Sequence, residues 1–187
     1  MKEIVFFLEE LSAKAMLEGV VPRIILENGI STRYVVFEGK QDLDGQLERR
    51  LRGYRHPNPR FIVLRDQDGN PDCIDVKRRI NEICQRSGRD NIKIRIACRE
   101  LESFYFGDLI AVERALNLVG LHRRSNSARF RTPDQIVSPS SALVHLTSGG
   151  YQKVSGSRLI GPHMNLDNER SRSFAALVSA IRYFVEN

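Results

Sequence analysis

The sequence predicts an α/β fold with a mainly parallel, four-stranded sheet flanked by helices and a helical C-terminal appendage. Up to Glu100, short runs of branched and aromatic residues alternate with stretches whose apolar residues recur at helical spacing. The connections between these runs are short, and no strand-like run follows Glu100.

Taken in order, Lys2 to Leu8 is an apolar strand, and Ala15, Met16, Val20 and Ile24 mark one face of a helix over Ser12 to Glu27, closed by Asn28-Gly29. Tyr34 to Phe37 is the second strand and Asp42 to Arg52 a charge-rich helix. Phe61 to Leu64 is a buried type of strand, followed by a helix over Asp72 to Ser87 that carries Ile74, Val76, Ile80, Ile83 and Cys84. In the fourth strand, Ile92 to Cys98, isoleucines alternate with Lys93 and Arg95, the pattern of an edge position. Leu101 to Val119 reads as helix, His122 to Pro139 as a polar basic loop, Ser140 to Thr147 as a short helix and Ser173 to Val185 as an amphipathic closing helix. The division expected is a metal-binding core over 1–108 and a helical extension over 109–187, with a basic loop at 122–131.

The 187 residues are 41% hydrophobic and 28% charged, a soluble globular balance. The longest apolar run, Ile4 to Leu8, is too short to cross a bilayer or serve as a signal peptide, so a cytoplasmic protein with no membrane partner is expected. Cys73, Cys84 and Cys98 form no Cys-x-x-Cys pair and read as buried thiols, and His56, His122, His145 and His163 are scattered, which argues against zinc and Ser-His chemistry. The net charge of +6 is uneven: residues 121 to 187 carry nine Lys or Arg against four acids, an asymmetry that favours a polyanionic partner.

The acids cluster where strands end. Glu9 and Glu10 follow the first strand, Asp66 and Asp68 the third, and Glu100 and Glu102 the fourth. In a parallel α/β sheet, ligands bind beyond the carboxyl ends of the strands. Gathered carboxylates repel by about 4 kcal/mol per pair at roughly 4 Å and an effective dielectric of about 20, so a cation is normally required. Hard oxygen ligands select Mg2+, Mn2+ or Ca2+. Asp66-x-Asp68 sets two carboxylates on the same side of an extended chain, and Glu9 arrives from another strand. Each acid also has a structural alternative as a cap or turn former, Asp68-Gly69-Asn70 above all. Two other patterns fit poorly. An EF-hand loop needs its glycine two positions later and a glutamate where Lys77 stands. The Asp-x-Asp-Gly of haloacid-dehalogenase phosphatases follows a first strand rather than a third.

The order Leu8-Glu9, then Val63-Leu64-Arg65-Asp66-x-Asp68-Gly69, resembles the glutamate and Asp-x-Asp motifs of TOPRIM domains, found in topoisomerases, primases and the OLD-family nucleases. Most of the chain is similar to an uncharacterised bacterial TOPRIM-like family linked to ABC-type ATPases and phage defence. That likeness is carried also by Ala97-Cys98-Arg99-Glu100-Leu101-Glu102-Ser103-Phe104 and by Tyr151-Gln152-Lys153. Two departures stand out: Glu10 replaces the usual glycine after the first glutamate, and Phe104 stands where tryptophan is more usual. Glu10 is then either an extra ligand or solvent-facing.

The resemblance implies that Asp66 and Asp68 hold Mg2+ or Mn2+, that Glu9 is a ligand through water or the general base, and that Glu102, with Glu100, completes a second metal position. Glu102 has the alternative role of a first-turn helix acid. Lys153, in the flexible-looking Ser148-Gly149-Gly150-Tyr151-Gln152-Lys153, is the candidate cation for the phosphate, the other reading being a solvated lysine. Arg123, Arg124, Arg129 and Arg131 are candidates to grip a nucleic-acid backbone, DNA rather than RNA. The leading expectation is a metal-dependent nuclease or nuclease subunit, working in phage defence with an ABC-type ATPase partner. The rivals are a small-molecule phosphatase or phosphotransferase, and a non-catalytic partner-binding module.

Overall fold

A computed structural model describes residues 2–26 and 29–187. Four strands, β1 (Glu3–Leu8), β2 (Ser31–Val36), β3 (Pro59–Asp66) and β4 (Ile92–Ala97), form an all-parallel sheet in the order β2-β1-β3-β4. The central β1 and β3 are buried from Ile4 to Leu8 and from Phe61 to Asp66, and Ile4 to Leu8 and Phe61 to Leu64 are continuous apolar runs because helices cover both faces. β4 lies at an edge, as its alternating charges predict.

Alternation along the strands sends side chains into two cores. Val5, Phe7, Phe61 and Val63 pack under α3 (Lys40–Arg52) and α4 (Cys73–Arg86), which contribute Leu43, Leu47, Leu51, Val76 and Ile80. Ile4, Phe6, Leu8, Ile62 and Leu64 face a larger core, built with α1 (Leu11–Val20), α5 (Ser103–Gly107), α6 (Leu109–Leu116), α7 (Pro139–Leu146), α8 (Lys153–Ile160) and α9 (Arg172–Glu186). The helices after β4 therefore share their core with the sheet.

Close packing of α1 against the end of α8 depends on glycine. A Cβ on Gly161 would lie 2.4 Å from the Met16 carbonyl oxygen, and one on Gly19 would lie 2.5 Å from the Pro162 ring.

Several boundaries differ from the sequence expectation. The first helix stops at Val20, and Pro22 opens a separate turn, α2 (Pro22–Ile25), because proline cannot supply the N–H that a continuous helix needs. Its expected end at Glu27 and Asn28 lies outside the described residues. The single helix expected over Leu101 to Val119 is two, broken at Asp108 (φ −139°), whose carboxylate caps the Ala111 N–H at 3.1 Å and also accepts from the Asn165 N–H. Lys153 does not sit on a flexible segment: it opens α8, after a turn with Ser148 and Gly149 in the left-handed region. Of the three thiols only Cys84 is buried, since Cys73 at the start of α4 and Cys98 just past β4 reach the surface.

Candidate functional site

The strand order creates the site. From β1 the chain crosses to β2 on one side and returns to β3 on the other, so a crevice opens at the carboxyl ends of β1 and β3. Leu8 is in register with Leu64, so Glu9 just past β1 falls one residue short of Asp66 at the end of β3, and the Asp66 N–H donates to Glu9 Oε2 at 3.0 Å. Asp66 is buried, and its Oδ2 accepts from the Leu101 N–H at 3.2 Å. That bond draws the segment after β4 over the site and brings up Glu102, which is fully buried. Glu102 Oε1 accepts from the Tyr151 hydroxyl at 2.8 Å, while its Oε2 has no hydrogen-bond partner.

The electrostatics follow from this crowding. Burial pushes the Asp66 carboxyl well above the usual carboxylate range, and the charges of Glu10, Glu9 and Glu102 push it further. Burial also raises Glu9, with Asp68 and Glu10 adding to it against the Asp66 N–H. Glu102 is raised by burial too, opposed by the Tyr151 hydroxyl and the Lys153 charge. Lys153 stands beside this group, paired with Glu10; half-burial pulls its ammonium down, but Glu10, Glu102 and Asp66 outweigh that and hold it above its ordinary value. Glu10 accepts from the Ser12 hydroxyl as well, so it neither points freely into solvent nor stands idle.

The remaining acids are turned to other partners. Asp68, in a left-handed turn at φ +55°, pairs with Lys40 at 3.1 Å. Glu100 accepts from the Ser140 N–H at 2.7 Å and so caps the first turn of α7. Among the described residues, no group of three or more His, Cys, Asp or Glu is gathered as an ion would need. The reason is visible in the contacts: each carboxylate, repelled by its neighbours, has taken an N–H, a hydroxyl or a lysine instead. The donor chemistry nonetheless suits a hard divalent ion, with hard carboxylate oxygens converging from two central strands and one buried oxygen of Glu102 left unpartnered.

A family model described as "Domain of unknown function (DUF4276)" matches residues 8–182. The chain belongs to this family. Among solved structures it is similar to the C-terminal region of the Burkholderia pseudomallei OLD protein, with a TM-score of 0.51 and 13% identity over 97% of this chain and 98% of that one, a likeness of fold. No curated protein matches the chain. The family match starts at Leu8, one residue before Glu9, and ends within α9, so it takes in every acid of the crevice together with Tyr151 and Lys153.

In this DUF4276 chain the four loop arginines lie apart from the crevice acids' contacts. Arg123, Arg124, Arg129 and Arg131 are all exposed, Arg123 and Arg124 within a short 3-10 turn and Arg129 stacked over the buried Phe130 ring at 5.3 Å. Two members of the site have no local signal in the sequence. Lys40 reaches Asp68 from the start of α3, and Arg65, 3% exposed, pairs with Asp44 at 3.2 Å while lying next to Asp66. Both pairs join residues more than twenty positions apart, so only the folded chain makes them neighbours.

Among the described residues, no helix is long and apolar enough to cross a membrane.

Proposed function

We propose that the crevice between β1 and β3 is the divalent-metal site of a TOPRIM-like nuclease or nuclease subunit, with Mg2+ or Mn2+ held by Asp66 and Asp68 and with Glu9 and Glu102 beside them. The observation that carries this reading is the buried Asp66, flanked by Glu9, Glu10 and Glu102 at the switch point of a parallel sheet, where ionised carboxylates are costly without a cation. The likeness of fold to the OLD C-terminal region supports it. When bound, the ion would supply Lewis-acid charge at a scissile phosphate.

The chain's own residues divide the remaining work. Glu9, raised by burial and lying beside Asp66, is suited to take a proton from the attacking water. Lys153 holds its charge at the rim of the crevice, and release from Glu10 would let it meet a phosphate oxygen. Asp68 must leave Lys40 to reach the ion, which its exposed ion pair permits at small cost. Glu100, committed to the Ser140 N–H, serves as a positioning residue for α7 in this scheme. The exposed Arg123, Arg124, Arg129 and Arg131 would hold the nucleic-acid backbone, DNA first. An ABC-type ATPase remains the expected partner, with phage defence the setting.

The test is nicking of supercoiled plasmid in Mn2+ by wild type, Glu9→Gln, Asp68→Asn and Lys153→Ala. Loss of the general base should slow cleavage by roughly 10²- to 10⁴-fold with little change in DNA affinity. Equal nicking by all four proteins would reject the site.

A further inference from the structure

On the α3 face of the sheet, β2, the last turn of α3 and the residues after it line a hollow of about 330 Å³, with Phe7 and Val35 among its walls. Arg33, Arg49, Arg50 and Arg55 line it together with Tyr54, and no Asp or Glu among the described residues does. All four arginines are exposed, and among the described residues none is in an ion pair. The nearby acids are already engaged: Glu48 holds both Arg52 and Arg86, and Asp44 holds Arg65.

Helix electrostatics explain only part of this arrangement. Arg49 and Arg50 complement the negative end of the α3 dipole. Arg33 comes from β2 and Arg55 from beyond the helix, where no dipole draws them, so four like charges meet around one hollow at a repulsive cost. The floor is firm. Tyr54 donates to Glu3 at 2.6 Å, meets Phe61 edge-on at 5.5 Å, and lies 6.0 Å beneath the Arg33 guanidinium.

We propose that this cavity seats the phosphodiester backbone of a nucleic acid. Planar guanidinium forks match phosphate oxygens two at a time, and a duplex offers a charge every ~1.7 Å along its axis, a density that scattered carboxylates of a protein partner do not reach. The seat shares no residue with the acidic crevice: it lies on the sheet face that Phe7 and Val35 present to α3.

The experiment measures anisotropy of a labelled, mixed-sequence DNA duplex across a range of KCl concentrations in EDTA, so that failure of the metal reading leaves it untouched. The full chain is compared with Arg50→Gln/Arg55→Gln, and Arg123→Gln/Arg124→Gln is run beside it. The expected result is a salt slope shallower by ~1.8, two lost phosphate contacts, with an unchanged melting temperature. Unaltered affinity and slope in the Arg50/Arg55 variant would overturn the proposal, whatever the Arg123/Arg124 variant does. ATP is added as a competitor: if the substitutions abolish ATP binding and leave duplex binding intact, the hollow takes a free polyphosphate and the nucleic-acid assignment is overturned.

Discussion

The Tyr151 hydroxyl donates to Glu102 Oε1 at 2.8 Å, in a place where both residues are shut off from solvent. This single bond ties the turn before α8 to the segment that follows β4, and with it the C-terminal helices to the crevice. It leaves Glu102 Oε2 unpartnered, a buried polar atom of the kind folded proteins rarely retain without a use.

Removing that hydroxyl is expected to be costly. Tyr151→Phe leaves a buried carboxyl without a donor, a loss of about 1–3 kcal/mol measurable by urea denaturation. A Cβ on Gly156 would sit 2.5 Å from the Tyr151 ring, so Gly156→Ala displaces the ring and should destabilise by a similar ~1–3 kcal/mol through overpacking. In a double-mutant cycle with Glu102→Gln, the Tyr151→Phe effect should shrink. An unshrunk effect would assign it to the hydroxyl's other partners, the Lys153 carbonyl and Ser157 Oγ.

Mn2+ or Mg2+ should raise the melting temperature of the wild type. An ion that binds only the folded chain adds about 2.7 kcal/mol at a hundredfold excess over Kd. Asp66→Asn should lose that shift, because its carboxylate lies at the centre of the acidic group. Coincident thermal scans of the wild type in Mn2+ and in EDTA would eliminate the metal.

The pH dependence of the metal-free chain has a definite sign. Asp66, Glu9 and Glu102 all have carboxyls raised in the fold, so the folded chain holds protons that the unfolded chain has released. Their stabilising contribution is complete below the ordinary carboxylate values of 3.8 and 4.5 and is lost as pH rises through the raised folded values. In EDTA, stability should therefore fall as pH rises above that range, and Asp66→Asn should flatten the fall. Asp42 and Glu48, shifted the other way, are too well solvated to reverse it. A wild type that becomes steadily more stable from mildly acid to neutral pH would contradict the crowding.

Much of this was legible from local chemistry. The branched and aromatic runs of β1 and β3 could be buried only between two layers of helices, the alternating charges of β4 could sit only at an edge, and Asp72 announced the start of α4 by capping Ile74. Parallel connections then forced Glu9 and Asp66 to the same end of the sheet. What the sequence could not carry were contacts made across long separations. Register set Glu9 beside Asp66, the Leu101 N–H drew Glu102 into the interior, and Lys40, Lys153 and the Ser140 N–H claimed Asp68, Glu10 and Glu100. The sequence by itself determined which side chains reach the strand ends, because strand period and apolar pattern are local. Only the tertiary structure decided which partner each carboxylate takes and which four arginines gather without an ion pair among the described residues, because those choices depend on distances that exist only after the chain has folded.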